Sequence, residues 1–364
     1  MLHRLRNAAA LAVVAAALCA PADGAGRSQA SSFGVRPLTA EWRGHTPIRP
    51  PRAAGTITVA VVDTGADLSH PDLACHLWTN PGEIAGNGID DDHDGIVDDV
   101  HGADVLDGSG DPRDDSGHGT HVAGIIAAGC AKASGVLGVA PQARVMVVKA
   151  LGDHAEGNLD AVAAGIRYAV AHGARIVNLS LSGPLPDAEL ATAIDEAAAA
   201  GVLVVAAAGN NGADDDVTPA YPAVLAAPNL VTATAVDWRG ALDADANYGR
   251  VTVDLTAPGV AIVSTARGGG YEVRSGSSMA AAYVSGALAV LAAARPDLGW
   301  EALRDALLST ARPARAPVAA GRVDLERALA LLRPHRQHRG AARARHARAQ
   351  PKRAQRRAAR LGQR

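Results

Sequence analysis

The sequence predicts an α/β fold in which a doubly wound, mostly parallel sheet carries helices on both faces. First, short Val-rich runs bounded by Gly, Pro or Asp alternate with longer runs of helical periodicity. Second, the short runs are apolar throughout, as expected for strands covered by helices on each face. Third, aromatic residues make up only 3% of the chain, so the hydrophobic 48% is mostly small aliphatic side chains that let helices pack closely.

The predicted elements follow in chain order, with helices placed between strands. Strands are expected at residues 56–62, 145–150, 176–181, 202–207 and 230–236. Helices are expected at residues 122–128, 159–171, 188–200, 278–294, 301–309 and 324–332. Because functional residues in such a sheet gather at the carboxyl ends of strands, Asp63 falls at the expected functional edge.

Both ends of the chain differ in composition from its body. Residues 1–22 combine two Arg, an apolar run and a small-x-small cleavage pattern, which predicts a signal peptide, export, and no membrane span after cleavage. Residues 23–54 predict an irregular arm, residues 55–332 one large domain, and residues 333–364 a basic, disordered tail. All 37 acidic residues lie between positions 23 and 332, so the body is acidic. The tail is either simply solvated or binds polyanions.

Two cysteines, Cys75 and Cys130, remain once the predicted signal peptide is removed. An even number of cysteines in an exported chain favours one disulfide bond.

Three short segments carry groups for nucleophilic catalysis: VVDTG at residues 61–65, HGTHVAG at 118–124 and GSSMA at 276–280. They place Asp63 at the end of a buried strand, and His118 and Ser278 at the starts of apolar helices. A serine hydroxyl needs a neighbouring His to take its proton, and a carboxylate must orient that His. The helix amino terminus beneath Ser278 supplies N–H groups for a developing oxyanion. These residues are therefore predicted to form a catalytic triad.

The three motifs and their order resemble those of the subtilisin-like serine peptidases, or subtilases, over about residues 55–332. The resemblance implies a secreted serine endopeptidase that cleaves proteins or peptides in extended conformation, is monomeric and binds no specific nucleic acid. Esterases carry Gly-x-Ser-x-Gly and the order Ser, Asp, His, which this chain lacks. An inactive binding protein is the alternative of a different class, but no triad residue is missing. Residues 281–283 depart from the family, which shows Pro and His after Ser-Met-Ala.

Further segments resemble the substrate-binding parts of the family. The segment AAGNNG at residues 207–212 resembles the oxyanion segment, which implies that Asn210 donates its amide; a simple turn is the alternative. The implied substrate-binding residues are Ser180, Leu181, Ser182, Gly183, Gly209 and Ala220. Ser182 stands where the family has Gly. Residues 152–157 are expected to form the facing strand, whose acidic side chains either select basic substrates or are merely solvated. The Tyr221-Pro222 bond is expected to be cis.

The segment DDDHDGIVDD at residues 90–99 has the pattern of a calcium loop. Carboxylates at its first, third, fifth and ninth positions, with Gly at the sixth, match the start of an EF-hand loop. The closing Glu is absent, so we expect a structural Ca²⁺ site; a solvated acidic turn is the alternative. The expected ligands are Asp90, Asp92, Asp94 and Asp98.

A second calcium site is not expected. The segment HPDL at residues 70–73 resembles the family segment whose Asp binds a tight calcium ion. Its partner loop at residues 129–134 lacks the Asn residues typical of the family. The two segments are neighbours in the family and here carry Cys75 and Cys130, so the hypothesis is that a disulfide replaces the ion.

Overall fold

A computed structural model describes residues 56–131 and 135–333, together with the backbone of Val13–Ala15. The chain divides into two compact units, Met1–Leu331 and Leu332–Arg364, and the fold described below belongs to the first. The predicted arm at residues 23–54 lies outside the described residues, and so does nearly all of the predicted tail. Of the predicted signal peptide, only Val13–Ala15 is described.

The strands and helices are as follows. The strands are β1 (Val13–Ala15), β2 (Thr58–Asp63), β3 (Gly102–Asp104), β4 (Arg144–Lys149), β5 (Glu156–Asn158), β6 (Ile176–Leu179), β7 (Leu203–Ala207), β8 (Leu230–Val236), β9 (Leu255–Pro258), β10 (Ile262–Ala266), β11 (Gly270–Arg274) and β12 (Gly321–Arg322). The helices are α1 (His118–Ala127), α2 (Leu159–Ala171), α3 (Ala188–Ala199), α4 (Ser277–Ala294), α5 (Trp300–Ser309) and α6 (Leu325–Leu332).

Eight strands form one sheet in the order β12-β9-β8-β7-β6-β2-β4-β3, and every pairing within it is parallel. The sheet strands before α2 lie on one side of β2 and the later ones on the other, so the direction in which successive strands are added to the sheet reverses between β2 and β6. In doubly wound sheets the crevice at such a switch point binds ligands. The predicted fold class is confirmed.

The two faces of the sheet are covered by different helices. Alternate residues of β2, β4 and β6 pack against α2 and α3 in one apolar cluster, while α1 and α4 contact the strands from the opposite face. Gly165 of α2 allows this packing, since a Cβ there would lie 2.9 Å from Val62 Cγ1. Burial of such aliphatic surface is the main source of stability in this kind of fold.

The five predicted strands and six predicted helices all form, within a few residues of the expected bounds. The largest difference is α1, which begins at His118 and not at residue 122. Among the described residues, α4 is the helix long and apolar enough to cross a membrane, but 89% of it is buried inside the protein. It therefore acts here as a core helix.

Candidate active site

The predicted catalytic residues lie at the edge of the sheet where strand carboxyl ends meet helix amino ends. Asp63 ends β2, His118 begins α1, and Ser278 lies in the first turn of α4. All three side chains are buried. This edge is also the switch point between β2 and β6, which is where the sheet topology predicts a binding site.

Asp63 and His118 form a direct hydrogen bond that fixes the imidazole tautomer. His118 Nδ1 donates to Asp63 Oδ1 over 2.7 Å. The backbone N–H of Thr64 donates to the same oxygen over 2.8 Å. A carboxylate only accepts hydrogen bonds, so Nδ1 carries the proton and Nε2 keeps a lone pair. Nε2 has no hydrogen-bond partner among the described residues, which leaves it available to accept a proton.

Ser278 is held by a reciprocal pair of hydrogen bonds to the end of β6. Its Oγ donates to the Ser180 carbonyl over 3.0 Å, and Ser180 Oγ donates to the Ser278 carbonyl over 2.8 Å. Asn178 and Ser285 extend this buried chain of hydrogen bonds from β6 into α4. To donate to His118 Nε2, as the predicted triad requires, the Ser278 hydroxyl would have to leave the Ser180 carbonyl. Such loosened geometry is common in substrate-free sites.

Asp114 positions the amino terminus of α1. Its carboxylate accepts from the backbone N–H of Gly117 over 2.7 Å and of Thr120 over 2.9 Å, and from Thr64 Oγ1 over 2.8 Å. It thus satisfies the free N–H groups of the first helical turn, as N-terminal capping side chains do. The sequence reasoning missed this residue, although an Asp just before an apolar helix is a recognisable capping signal.

Gly119 lets α1 approach β2 closely enough for the Asp63–His118 contact. A Cβ at this position would lie 2.1 Å from the Gly65 carbonyl oxygen and 3.2 Å from Asp63 Cβ. Any larger residue would push the helix, and with it His118, away from the strand.

Asn210 lies just after β7 with its amide orientation fixed. Its Oδ1 accepts from the backbone N–H of Ser277 over 2.9 Å, so the Nδ2 donor remains for another partner. Gly209 N–H donates to Ser277 Oγ over 3.1 Å, which ties the same loop to the start of α4. A neutral amide donor next to a helix amino terminus has the composition of an oxyanion hole.

Asn247 holds the loop that carries Asn210, and the sequence reasoning did not find it. Its Oδ1 accepts from the N–H groups of Asn211 and Ala213, and its Nδ2 donates to Asp215 Oδ1 over 2.9 Å. The side chain is buried. No motif marks this position, because its role depends on contacts between distant parts of the chain.

The predicted substrate-binding residues lie in three adjoining segments of the chain. Gly183 and Tyr221 exchange backbone hydrogen bonds of 2.9 and 2.8 Å, and the Tyr221-Pro222 bond is cis as expected. Ser182 Oγ lies 3.3 Å from where a Cβ of Gly209 would be. Ser180, Leu181 and Ala220 are buried in the same walls.

Of the facing strand predicted at residues 152–157, only Glu156 and Gly157 lie in a strand, as part of β5. The preceding residues form a turn in which the Ala155 N–H donates to the Gly152 carbonyl over 2.9 Å, so the strand is shorter than predicted. Its edge pairs with β1 in antiparallel register, with Val13 opposite Asn158 and Ala15 opposite Glu156. An antiparallel extended segment can therefore occupy this edge.

His121 is a packed histidine on α1. Its Nε2 faces the carbonyl oxygens of Ile262 and Glu272 at 3.2 and 3.3 Å. Burial, with Arg274 and His118 nearby, lowers the pKa of His121 to about 3. The ring is thus neutral and ties α1 to the β10–β11 hairpin, as expected for a structural residue.

The predicted calcium loop brings only some of its carboxylates together. Oxygens of Asp92 and Asp94 lie 3.6 and 3.4 Å from His172 Nε2, and the three form one cluster of potential metal ligands. Asp90 instead accepts from backbone N–H groups of its own loop. Asp98 accepts from the N–H groups at residues 86 and 88.

A second cluster of carboxylates in this loop joins Glu83, Asp92 and Asp99. Glu83 Oε1 also accepts from the Asp91 N–H over 2.8 Å, so it helps to shape the loop. The donor set of carboxylates around Asp92 fits a hard cation that prefers oxygen ligands. The sequence reasoning did not find Glu83 or His172, because they lie outside the loop motif.

The segments carrying Cys75 and Cys130 are joined by a disulfide bond, which confirms the predicted pairing. Asp72 lies beside it with its carboxylate fully engaged. It accepts from the N–H groups of Ala131 and Val136 over 2.7 and 2.9 Å, and from Tyr271 Oη over 2.7 Å. Three donors thus occupy the carboxylate that the resemblance associates with calcium, which agrees with the hypothesis of a disulfide in place of the ion.

Residues 54–349 match the family model of the subtilase family. This chain belongs to the subtilase family of serine endopeptidases. It is 40% identical to a thermophilic serine proteinase of Bacillus sp. (strain AK1), a match that covers 64% of this chain and 51% of the relative. It is 34% identical to subtilisin-like protease 1 of Plasmodium berghei, a match that covers 68% of this chain and 44% of the relative. It is 39% identical to an intracellular serine protease of Paenibacillus polymyxa, a match that covers 65% of this chain and 66% of the relative. The chain spans about half the length of the first two relatives.

Proposed function

We propose that this subtilase is an exported serine endopeptidase in which Ser278, His118 and Asp63 act as nucleophile, general base and orienting carboxylate. The observation that carries the proposal is the 2.7 Å hydrogen bond from His118 Nδ1 to Asp63, together with a buried Ser278 in the first turn of α4. No separate cofactor is needed for this chemistry, because the proton acceptor and the nucleophile are both side chains.

The reaction begins when Ser278 Oγ attacks the substrate carbonyl carbon and His118 Nε2 takes the hydroxyl proton. The carbonyl π electrons move to oxygen, and the tetrahedral oxyanion accepts hydrogen bonds from Asn210 Nδ2 and the N–H groups at the start of α4. His118 then gives its proton to the leaving amine, the C–N bond breaks, and an acyl-enzyme remains. Water attacks this ester with His118 again as base, and the acid product leaves as Ser278 is reprotonated.

The substrate is proposed to bind as an extended strand between β5 and Ser180–Leu181–Ser182–Gly183. The pairing of β5 with β1 supports this, since the edge already accepts an antiparallel segment. Gly209 and Ala220 are proposed to border the primary pocket, where a small uncharged floor favours large apolar residues.

We also propose that the loop at residues 90–98 binds a structural Ca²⁺ ion. Asp92 and Asp94 would hold it first, because their carboxylates already converge, and Asp90 and Asp98 would join them. The bound ion would neutralise a concentrated negative charge and restrain the loop; it takes no part in the proton transfers.

Export, a monomeric state and the absence of specific nucleic-acid binding remain part of the proposal. Export is supported by the composition of residues 1–22 and by the disulfide bond, which persists in oxidising compartments. The name of the Paenibacillus relative refers to an intracellular enzyme, so the family itself does not decide the location.

Digestion of casein, in the presence of calcium, tests the proposed function. The purified chain should release peptides, and Ser278→Ala should release none above background. Ser309→Ala serves as a control, because its exposed hydroxyl donates to the Asp305 carbonyl within α5 and lies outside the hydrogen-bond chain that holds Ser278. Equal digestion by wild type and Ser278→Ala would contradict the assignment.

A further inference from the structure

A cavity of about 310 Å³ lies next to the segment that leads into α1, outside the predicted substrate-binding segments. Its walls come from the loop after β2, from the segment before α1 and from the tip of the β10–β11 hairpin. The lining residues are Ala66, Asp67, Leu68, Ser69, Arg113, Asp114, Arg267 and Gly268. A cavity of this size accommodates one or two amino-acid side chains.

The hairpin tip brings a guanidinium group next to the residue that precedes His118. A Cβ placed on Gly117 would lie 3.6 Å from Arg267 Cδ and 3.2 Å from a terminal nitrogen of Arg274. The tip is fixed there, because Gly268 N–H donates to Asp67 Oδ2 over 2.9 Å. The position of Arg267 is therefore set by the fold and is not a chance conformation of a free turn.

Most charged side chains around the cavity have hydrogen-bond or ion-pair partners, but Arg267 has no carboxylate partner among the described residues. Asp67 accepts from the Ser69 N–H and hydroxyl besides Gly268, and Asp114 accepts from the amino terminus of α1. Arg274 pairs with Glu272, and Arg113 pairs with Asp111. Lys149 neutralises Asp115 over 2.7 Å. Arg267 is exposed and donates only to the backbone carbonyl of Asp115, with no carboxylate partner among the described residues.

The course proposed for the substrate leads from β5, across Ser278 and past His118, toward this cavity. The proposed acyl-side strand β5 leads into α2, which covers one face of the sheet, whereas the β10–β11 hairpin contacts α1 on the other face. An extended substrate that follows β5 and crosses Ser278 must continue past His118, because His118 delivers the proton to the leaving amine. Its next residues therefore pass Gly117 and reach the hairpin tip.

We infer that this cavity binds a substrate side chain from the leaving-group side of the cleaved bond, and that Arg267 gives it a preference for a carboxylate. The inference rests on the proposed peptidase function and adds a substrate preference to it. A guanidinium that lacks a carboxylate partner forms a strong bidentate pair with Glu or Asp. Because Asp153 and Glu156 lie on the acyl side, the cleft would be negative before the cleaved bond and positive after it.

Matched fluorogenic peptides test the inference. One parent peptide is varied only at the three positions after the cleaved bond, each in turn as Glu, Gln or Lys. At one of these positions kcat/KM should be about threefold to fivefold higher for Glu than for Gln, and lower for Lys, as expected for a partly exposed ion pair. The Glu/Gln ratio should shrink at high salt.

Variants separate Arg267 from the rest of the site. In Arg267→Gln the Glu/Gln ratio should fall to about one, and Arg267→Lys should retain part of it. Arg167→Gln is the matched control, because Arg167 pairs with Glu189 and Glu196 between α2 and α3, away from the cleft, and the ratio should not change.

The outcomes distinguish the proposed peptidase function from the proposed carboxylate preference of Arg267. Cleavage of all peptides with a Glu/Gln ratio near one at every position would overturn the inference and leave the peptidase intact. A ratio that persists in Arg267→Gln would also overturn it. Failure to cleave any peptide, the Gln peptides included, would overturn the proposed function and the inference with it.

Discussion

The proposed reactivity of Ser278 depends on the two nitrogens of one imidazole having different environments. His118 Nδ1 is bound to Asp63, whereas Nε2 has no hydrogen-bond partner among the described residues. If both nitrogens had acceptors, the ring would favour the imidazolium and lose its function as a base. The same asymmetry appears in Asn210, whose Oδ1 is bound and whose Nδ2 remains for the substrate.

Asn210 provides a test with a built-in structural control. Asn210→Asp keeps the Oδ1 that accepts from Ser277 but loses the donor, so kcat should fall roughly a hundredfold to a thousandfold with little change in KM. That magnitude comes from a subtilisin, a member of this family. Asn211→Ala should retain full activity, because that side chain is exposed. Steady-state kinetics on a peptide substrate measure kcat and KM for each variant. An Asn210→Asp variant as active as wild type would reject the oxyanion assignment.

At the residue scale, the motifs indicated the proposed reacting groups but not the residues that position them. Asp63, His118 and Ser278 stand in short, specific segments, so they were predicted directly. Asn247 acts through contacts with Asn211 and Asp215 that arise only when distant segments meet, and its own surroundings in the sequence carry no signal.

At the scale of elements, the sequence predicted the central strands and the helices better than the edges. β2, β4, β6, β7 and β8 are buried on both faces and therefore appear as continuous apolar runs. β3, β5 and β12 are only two or three residues long, and β10 and β11 form a partly exposed hairpin, so they lack that pattern. α1 was predicted to start late, because its first turn is polar and is stabilised by Asp114.

The acidic loop at residues 90–98 is the element that the proposed Ca²⁺ ion would stabilise. Bound Ca²⁺ should stabilise the fold by a few kcal/mol, which corresponds to a rise of about 5 °C or more in Tm between chelator and millimolar calcium. Calorimetry in the Ser278→Ala background measures this without autolysis. Asp92→Asn and Asp94→Asn should remove most of the rise, and exposed Asp195→Asn should not. The same Tm with chelator and with calcium would contradict the site.

The Cys75–Cys130 bond joins the turn after Asp72 to the end of α1. It closes a loop with a sequence separation of 55, which in the chain-entropy account corresponds to at most about 4 kcal/mol. The double variant Cys75→Ser/Cys130→Ser should therefore unfold at lower denaturant concentration, with a somewhat larger m-value, because the unfolded chain without the crosslink exposes more surface. An identical denaturation midpoint would show that Asp72 and its three donors suffice to hold these segments.

At the scale of the whole molecule, one buried carboxyl links stability to pH. Asp215 is 2% exposed, and its burial, reinforced by Asp214 and Asp216 and opposed by Asn247, raises its pKa from 3.8 to about 7. Between these two values the unfolded chain ionises and the folded one does not. The contribution to stability is therefore complete below pH 3.8, is lost as pH rises toward about 7, and changes no further above it.

Denaturation at several pH values tests this linkage. Relative to Asp215→Asn, the free energy of unfolding of the parent should fall with rising pH, by up to about 1.4 kcal/mol per unit between roughly pH 4 and 7. Asp195→Asn, on the exposed face of α3, should follow the parent. If the free energies of unfolding of Asp215→Asn and the parent change with pH in parallel, the pKa of Asp215 is the same in the folded and the unfolded chain, which would contradict the prediction.

The fold class followed from the alternation of strands and helices, but the relative placement of the loops did not. The cavity lined by Arg267 forms because the hairpin tip at residues 267–269 reaches the loop after β2, a contact between segments that lie far apart in sequence. The clustering of Asp92 and Asp94 with His172 likewise arises from the packing of α2 against the acidic loop.

The central claim is that Ser278 is a nucleophile activated by His118, and covalent labelling tests it most directly. A fluorophosphonate should phosphonylate the protein once, as Oγ attacks phosphorus and fluoride leaves, and mass spectrometry should locate the group on Ser278. Labelling should be lost in Ser278→Ala and strongly slowed in His118→Ala. No labelling of the folded protein, or labelling unaffected by either substitution, would contradict the account.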